Sequence, residues 1–289
     1  MRLHYEDGAL ADGACAVALS QARAGWRFSS LWVVALEAGG RYEFATGPDE
    51  IAFVPLAGSA ELRGSGGEFR LEGRRDVFDG PTDWVYLPRD ATAVLESPVG
   101  GRFALCGARA DGTLEWRHHP AESVAVELRG AGSCSRRVTN YAMAEGTATR
   151  LLVCEVVTPA GNWSSYPPHK HDEHSESERE LEEIYYFEVA PGPSGDPGMA
   201  YQRLYGTPER PVELCAEVRS GDVVLIPHGY HGPAMAPPGY DLYYLNVMAG
   251  PGARQWLASD DPAHAFVRES WASQAIDARL VPGGRLGSR

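Results

Sequence analysis

The residues best suited to chemistry lie in the segment Pro167-Pro168-His169-Lys170-His171. Residues i and i+2 of a β-strand point to the same face, so the imidazoles of His169 and His171 can enter one site. The two prolines favour extended backbone just before them. Imidazole nitrogens are common ligands of divalent transition metals. An isolated His-x-His is most often a solvated pair, so the interpretation depends on further ligands downstream.

A carboxylate ligand is available in the acidic run between 172 and 183. Glu183 opens an apolar strand whose alternate residues can face inward, and we prefer it. Glu182 then faces the other side of that strand. Glu176 is nearer to His171 in sequence but lies in a segment that reads as a solvated loop. The sequence leaves Glu183 and Glu176 as alternatives.

The third histidine has several candidates. His231 follows a Gly-Tyr pair that turns the chain back, which favours it over His228. His174 ranks third, because it reads as a surface residue. Three imidazoles and one carboxylate from separate strands would form a site for a divalent metal with open positions for a substrate.

The elements that must position these side chains are short strands. Apolar runs rich in Val, Tyr, Trp and Phe recur between Gly and Pro turns, which predicts an all-β protein of antiparallel strands in a sandwich or barrel. Helical periodicity is scarce, and the best helix candidates are Ala11–Ala22 and the stretch after Asp261-Pro262. The predicted strands are Leu31–Leu36, Ile51–Pro55, Val85–Leu87, Leu151–Val157, Ile184–Val189, Val223–Ile226 and Leu242–Val247.

The two halves of the chain are weak repeats of each other. Each has a strand that opens on a glutamate, at Glu50 and at Glu183, and a later strand that runs into a proline. We predict tandem β-barrels, an N-terminal one over residues 1–135 and a C-terminal one over residues 136–289. The second half carries His169, His171, His174, His228, His231 and His264. This asymmetry predicts one metal ion, in the C-terminal barrel.

Composition limits the classes of function. The chain has 289 residues, a net charge of −13 and 44% hydrophobic residues, which excludes a disordered chain. The acidic balance argues against a nucleic-acid partner. The five cysteines are odd in number and scattered, as expected of a reduced cytoplasmic protein. No apolar run is long enough to cross a membrane and no signal peptide is evident.

Several longer motifs point to a known family. They are Gly161 through Glu173 (GNWSSYPPHKHDE), Leu181 through Phe187 (LEEIYYF), Gln202 through Tyr205 (QRLY) and Gly229-Tyr230-His231. Together they resemble the 5-deoxy-glucuronate isomerases of myo-inositol catabolism, a bicupin family related to the 5-keto-4-deoxyuronate isomerases. The resemblance covers nearly the whole chain and is strongest over residues 150–265.

The resemblance implies a ligand set and a metal. His169, His171, Glu183 and His231 match the metal ligands of the related uronate isomerases. Zinc is implied, although cupin sites also accept Mn, Fe or Ni. One departure is Gly232, which stands between His231 and a proline that usually follows the histidine directly.

The family's reaction is an aldose–ketose isomerisation of 5-deoxy-D-glucuronate to 5-dehydro-2-deoxy-D-gluconate. It requires stabilisation of an enediolate and a group that moves a proton. The candidates are Glu182, Tyr185 and Tyr243, each with packing as the alternative role. A metal-assisted hydride shift is a competing route.

The implied substrate carries a carboxylate far from its aldehyde. A cation at the barrel mouth should bind it. Arg203 is our first choice and Lys170 the second, although Lys170 points away from its neighbours on an ideal strand. Tyr205 would share a strand face with Arg203 and contact the sugar.

Two other functions fit the same ligand set. A cupin dioxygenase would hold Fe(II) with three histidines and one glutamate. A non-catalytic sugar-acid-binding cupin would regulate a partner, but such proteins usually carry a DNA-binding helical domain, and none is evident. A homo-oligomer is compatible with the sequence.

Overall fold

The computed structural model describes residues 1–281 and Leu286. The first half contains short strands and little helix. Its elements are β1 His4–Tyr5, β2 Cys15–Leu19, α1 Gln21–Ala24, β3 Ser29–Leu36, β4 Gly40–Ala45, β5 Asp49–Gly64, β6 Gly67–Arg74, β7 Trp84–Leu87, β8 Thr92–Ser97, β9 Gly101–Arg109, β10 Arg117–His119, β11 Ala125–Arg129 and β12 Arg136–Asn140.

The second half repeats this character. Its elements are β13 Leu152–Thr158, β14 Trp163–Ser164, β15 His169–Lys170, β16 Glu182–Val189, β17 Ala200–Tyr205, β18 Glu213–Val218, β19 Val223–Ile226, β20 Tyr230–Met235, β21 Leu242–Ala249, β22 Ser259–Asp260 and α2 Phe266–Ser270. Single-turn 3₁₀ helices lie at Ala121–Ser123, Gly132–Cys134, Trp271–Ser273 and Ala278–Leu280.

The strand predictions are confirmed and one helix prediction is wrong. Cys15–Leu19 alternates between buried and half-buried positions and pairs with β3 as a strand. Helix is confined to Gln21–Ala24, where the Ser20 side chain caps the N-terminus and Gly25 ends it in the left-handed conformation. Alanine-rich composition favours helix, but here burial against β3 decides the conformation. The helix expected after Pro262 is present as α2.

The strands form curled antiparallel sheets. A nine-stranded sheet in the first half includes the order β10-β7-β5-β9-β3-β2. A seven-stranded sheet has the order β1-β19-β16-β21-β13-β12-β11, and a six-stranded sheet includes β18-β17-β20-β15-β22. The last two sheets enclose the space into which the predicted metal ligands point. The all-β prediction is confirmed.

The sheets of the second half are not built from one continuous stretch of the sequence. Strand β1 pairs with β19, and β11 pairs with β12, so N-terminal residues contribute to the seven-stranded sheet. The predicted boundary between residues 135 and 136 stays a prediction. None of the helices within residues 1–281 is long and apolar enough to cross a membrane.

A shared apolar core joins the halves, and buried carboxylates reinforce it. Core residues from both halves form one cluster, which includes Leu31 and Val247. Arg74 donates to both carboxylate oxygens of Glu155, at 3.0 and 2.8 Å, with both side chains nearly inaccessible. A buried pair of this kind needs good geometry to offset desolvation, and the two parallel bonds provide it.

Two further glutamates connect the halves reciprocally. Glu50 accepts backbone N–H bonds from residues 149–151 at 2.8, 2.6 and 2.7 Å. Glu182 accepts backbone N–H bonds from residues 27–29, each at 2.9 Å. Each glutamate thus satisfies backbone donors at the entry to a core strand of the other half.

Candidate metal centre and active site

Three histidines converge between the seven-stranded and six-stranded sheets. His169 on β15 lies directly opposite His231 on β20, and His171 follows β15 immediately. One ring nitrogen from each lies within 4.8 Å of the others. The ring centroids of His169 and His171 are 4.4 and 4.7 Å from that of His231. The pairing of β15 with β20 therefore brings the imidazoles of the His-x-His segment together with that of His231.

Glu183 completes the cluster. Its Oε2 lies 2.9 Å from Nε2 of His171 and 3.0 Å from Nε2 of His231, and all three side chains are buried. Burial alone would raise the pKa of Glu183, but the adjacent His231 and His171 outweigh it and hold this pKa far below its usual range. Burial lowers the pKa of His171, but the bond to Glu183 more than compensates and raises it.

The hydrogen-bond partners of the His171 and His231 ring nitrogens show whether this cluster could hold a metal ion. Nδ1 of His171 faces the carbonyl of Leu181 at 3.2 Å, and Nδ1 of His231 faces that of Gly229 at 3.4 Å. A carbonyl can only accept, so each Nδ1 donates and a neutral ring presents a lone pair at Nε2. Each Nε2 therefore needs a cation between it and the Glu183 carboxylate. A proton serves for His171, whose bond to Glu183 raises its pKa, and a divalent metal ion would serve for both rings at once.

His231 adds an orphaned atom to this argument. Its Nε2 is buried and is not aligned for any hydrogen bond within the described residues, despite its 3.0 Å approach to Glu183. Buried polar nitrogens are nearly always satisfied. The three imidazoles and one carboxylate therefore fit a divalent transition metal by donor chemistry and by the unsatisfied Nε2.

Close backbone packing positions His231. Gly232 has φ +106°, and a Cβ there would lie 1.8 Å from the carbonyl oxygen of Ser165. Only glycine allows the two segments to approach this closely. The extra glycine noted in the sequence is thus accommodated beside the histidine.

A pocket open to solvent lies over the cluster. Tyr185 from β16 and Tyr244 from β21 line it, and their hydroxyls lie 3.2 and 3.1 Å from Ser165 Oγ. Asn246 also lines it, and its Nδ2 is buried without a hydrogen-bond partner in the described part of the chain. The pocket thus presents hydroxyl and amide groups beside the metal cluster.

Of the three candidate proton-moving residues, the structure places only Tyr185 at the pocket. Tyr243 points to the opposite face of β21, where its ring lies 5.8 Å from the Arg74 guanidinium. Glu182 points away from Glu183 and its carboxylate is held by the backbone of residues 27–29. Neither residue lies at the pocket, because neighbouring residues of a strand face opposite sides. This orientation was expected for Glu182, and it removes both residues from the candidate proton-moving groups.

The predicted substrate cations lie outside the pocket as well. Arg203 is on the exposed outer face of β17, with its guanidinium 4.5 Å from the Tyr205 ring. The two do share a face, but it is the solvent face. Tyr205 donates to Asp261 at 2.5 Å, and Lys170 donates to Asp172 and Glu178, both at 2.9 Å.

The alternative ligands stay apart from the cluster. Glu176 and His174 are exposed on the acidic loop. His228 is half-buried and belongs to no metal-competent group within residues 1–281. The geometry therefore favours Glu183 and His231 over these alternatives.

Sequence reasoning missed several pocket residues. They are Arg129, Arg136, Tyr244, Asn246 and Trp256. Tyr244 and Asn246 lie on the predicted strand Leu242–Val247. Because side chains alternate along a strand, both would have been assigned to the pocket if the inward face of β21 had been known. Arg136 lies at the predicted boundary between the two barrels.

Comparison with known proteins gives this site a family. A model of the KduI/IolB family matches residues 3–267. The chain belongs to the KduI/IolB family. Among curated relatives, the 5-deoxy-glucuronate isomerase of Geobacillus thermodenitrificans is 43% identical over 250 residues, covering 86% of this chain and 89% of that protein. The protein of the same name from Bacillus subtilis (strain 168) is 39% identical over 241 residues, 82% of this chain and 86% of that one.

Solved structures agree with this assignment. An IolB-like protein from Salmonella typhimurium LT2 superposes with a TM-score of 0.85 at 35% identity, covering 92% of this chain and 99% of that one. Oxalate decarboxylase from Lactobacillus farciminis has a TM-score of 0.63 at 11% identity, covering 90% and 88%. At that identity the second likeness shows the fold alone. The resemblance of the sequence motifs to this isomerase family is thus confirmed.

Proposed function

We propose that this protein is a metal-dependent 5-deoxy-glucuronate isomerase that converts 5-deoxy-D-glucuronate to 5-dehydro-2-deoxy-D-gluconate. The observation that carries the metal dependence is the pair of Nε2 atoms, of His171 and His231, which share one oxygen of Glu183. The curated KduI/IolB relatives support the substrate, because those proteins carry the name of this activity.

The reaction is redox-neutral. The C2–H bond breaks and a C1–H bond forms, while the hydroxyl proton moves from O2 to O1. Carbon 1 is reduced and carbon 2 is oxidised, so no external oxidant or reductant is needed. A divalent metal bound by His169, His171, Glu183 and His231 would supply Lewis acidity to the carbonyl and adjacent hydroxyl oxygens.

The protein's own groups handle protons and orientation. Tyr185 and Tyr244 converge on Ser165 Oγ, which forms a hydroxyl network at the pocket wall. We assign the proton-moving role to Tyr185, because its ring lies 6.1 Å from that of His231 and its hydroxyl joins this network. The free Nδ2 of Asn246 can donate to a substrate hydroxyl.

Zinc is the metal we propose, since nitrogen-rich sites with one carboxylate suit it, although such a donor set also accepts Mn, Fe or Ni. We also propose a cytoplasmic role in inositol degradation. The sequence supports the compartment through its scattered cysteines, which are free within the described residues.

The test combines metal analysis with a single assay. Purified protein is analysed for metals and incubated with 5-deoxy-D-glucuronate in D₂O, and the product is followed by proton NMR. We expect turnover without O₂, and deuterium at carbon 1 if a protein group moves the proton. Turnover without deuterium, together with a wild-type kcat in Tyr185→Phe, would indicate a hydride shift and remove the role of Tyr185. Oxygen consumption in place of isomerisation would establish a dioxygenase, and binding without turnover a sensor.

A further inference from the structure

An unpaired buried cation lies in the wall of the metal pocket. Arg136 opens β12, is 5% exposed and lines the same pocket as His169 and Glu183. Its Nη1 donates to the carbonyls of Cys134 and Tyr166, at 3.0 and 3.5 Å. Within residues 1–281, no carboxylate lies within ion-pair distance of it. A buried guanidinium without a counter-ion is unfavourable unless an anion binds there.

The other pocket arginine is different. Arg129 is partly exposed and already donates to both carboxylate oxygens of Glu127, at 3.0 and 2.7 Å. Its guanidinium also lies 5.4 Å from the Trp256 ring. Arg129 is therefore compensated within the protein, whereas Arg136 is not.

The Arg136 guanidinium is held in place with one edge free. The Trp271 ring lies 5.3 Å from it, and the two carbonyls hold Nη1. Nε and Nη2 make no hydrogen bond to any described residue. These two atoms form a fork that matches the two oxygens of a carboxylate.

The Arg136 guanidinium is charged at neutral pH. Burial lowers its pKa to about 10, which leaves it protonated. Because Arg136 lines the same pocket as His169 and Glu183, an anion bound to it would lie in the pocket beside the proposed metal ligands.

We propose that Arg136 binds the substrate carboxylate through Nε and Nη2, and so orients the aldehyde end toward the metal. The inference rests on the proposed function, since it concerns the sugar acid of that reaction. A protein of net charge −13 repels an anionic substrate at long range, so the site needs a fixed cation of its own. Arg136 takes the role that the sequence assigned to Arg203.

The test compares the acid with its neutral analogue. Wild type, Arg136→Gln, Arg136→Lys and the exposed control Arg203→Gln are assayed with 5-deoxy-D-glucuronate and with its primary amide. Loss of a charged bond predicts that Arg136→Gln lowers kcat/KM for the acid by about 10- to 100-fold. We expect little change for the amide, normal metal content, and no effect of Arg203→Gln.

The Arg136→Lys variant keeps the test informative if Arg136→Gln fails to fold. Arg136→Lys keeps the charge and the aliphatic stem but loses the fork, so we expect an intermediate loss confined to the acid. Equal losses on acid and amide in a folded, metal-loaded variant would overturn the inference while leaving the isomerase intact.

Failure of the proposed function has a separate signature. Wild type would then turn over neither compound. Calorimetric titration with 5-deoxy-D-glucuronate would still be informative: binding lost in Arg136→Gln supports a carboxylate site, and binding unchanged in that variant, or absent in wild type, contradicts it.

Discussion

Equivalent strand pairs in the two halves carry different chemistry. In the first half, Ile51 on β5 pairs with Leu87 on β7, just before a proline. In the second half, Glu183 on β16 pairs with Ile226 on β19, also just before a proline. The same position in the fold thus holds an isoleucine in one half and, in the other, the carboxylate that contacts the histidine cluster. The scaffold permits a site, and a few side chains decide whether one exists.

The comparison extends along both strands. Two residues on, Phe53 pairs with Val85 and Tyr185 pairs with Val224. Phe53 packs in an apolar cluster of the first half, while Tyr185 directs its hydroxyl to Ser165. The second half therefore carries polar groups at inward positions where the first half is packed with apolar side chains.

The glutamates one residue earlier, Glu50 and Glu182, occupy equivalent positions in the two halves. Glu50 and Glu182 each bind three backbone N–H groups of the opposite half. Our sequence alignment of Glu50 with Glu183 was wrong by one residue. A shift of one residue exchanges the faces of a strand, so the alignment paired a glutamate that binds backbone N–H groups with the glutamate of the histidine cluster.

The largest expected effect concerns Glu183. Glu183→Gln removes the negative charge that the Nε2 atoms of His171 and His231 face. We therefore expect metal affinity to fall by more than about 100-fold, which exceeds the typical loss for residues that contact a ligand but not the metal. Isomerase activity should be lost with it. The matched control is Glu176→Gln on the exposed loop, and metal dissociation constants for both variants are the measurement. Equal losses would remove Glu183 from the ligand set.

Tyr185 gives the next largest effect. Tyr185→Phe converts the position to its first-half counterpart, and loss of a proton-moving hydroxyl predicts a fall in kcat of roughly 100-fold. Metal content should be unchanged. Tyr243→Phe, which removes a hydroxyl from the other face of β21, is the control and should leave kcat near wild type. A comparable kcat in the two variants would exclude Tyr185 from catalysis.

The smallest effects concern the reciprocal glutamates. Glu182→Gln and Glu50→Gln each weaken charge-assisted bonds to backbone donors, so we expect losses of about 1.5–3 kcal/mol in the free energy of unfolding. Metal affinity and kcat of the folded enzymes should be preserved. Denaturant unfolding followed by metal titration checks both. A loss of metal binding in Glu182→Gln at full stability would place this residue in the site.

The sequence predicted the elements better than their orientation. Apolar runs located β3, β7, β16, β19 and β21, and the His-x-His spacing located two of the three clustered histidines. Adjacent residues of similar type, such as Tyr243 and Tyr244, cannot be assigned to a face until the tertiary packing is known. Arg136 was missed because it lies at the predicted boundary between the barrels, where no strand was predicted, although it begins β12.

The central claim is that the histidine cluster of the second half binds one metal ion, and the metal content of the protein tests it most directly. Purified wild type and His171→Ala should be compared by elemental analysis after exhaustive dialysis. We predict one divalent metal per chain in wild type and almost none in the variant, because within residues 1–281 the histidine cluster is the one group fit to bind it. Two metals per chain, or a full equivalent retained by His171→Ala, would contradict the account.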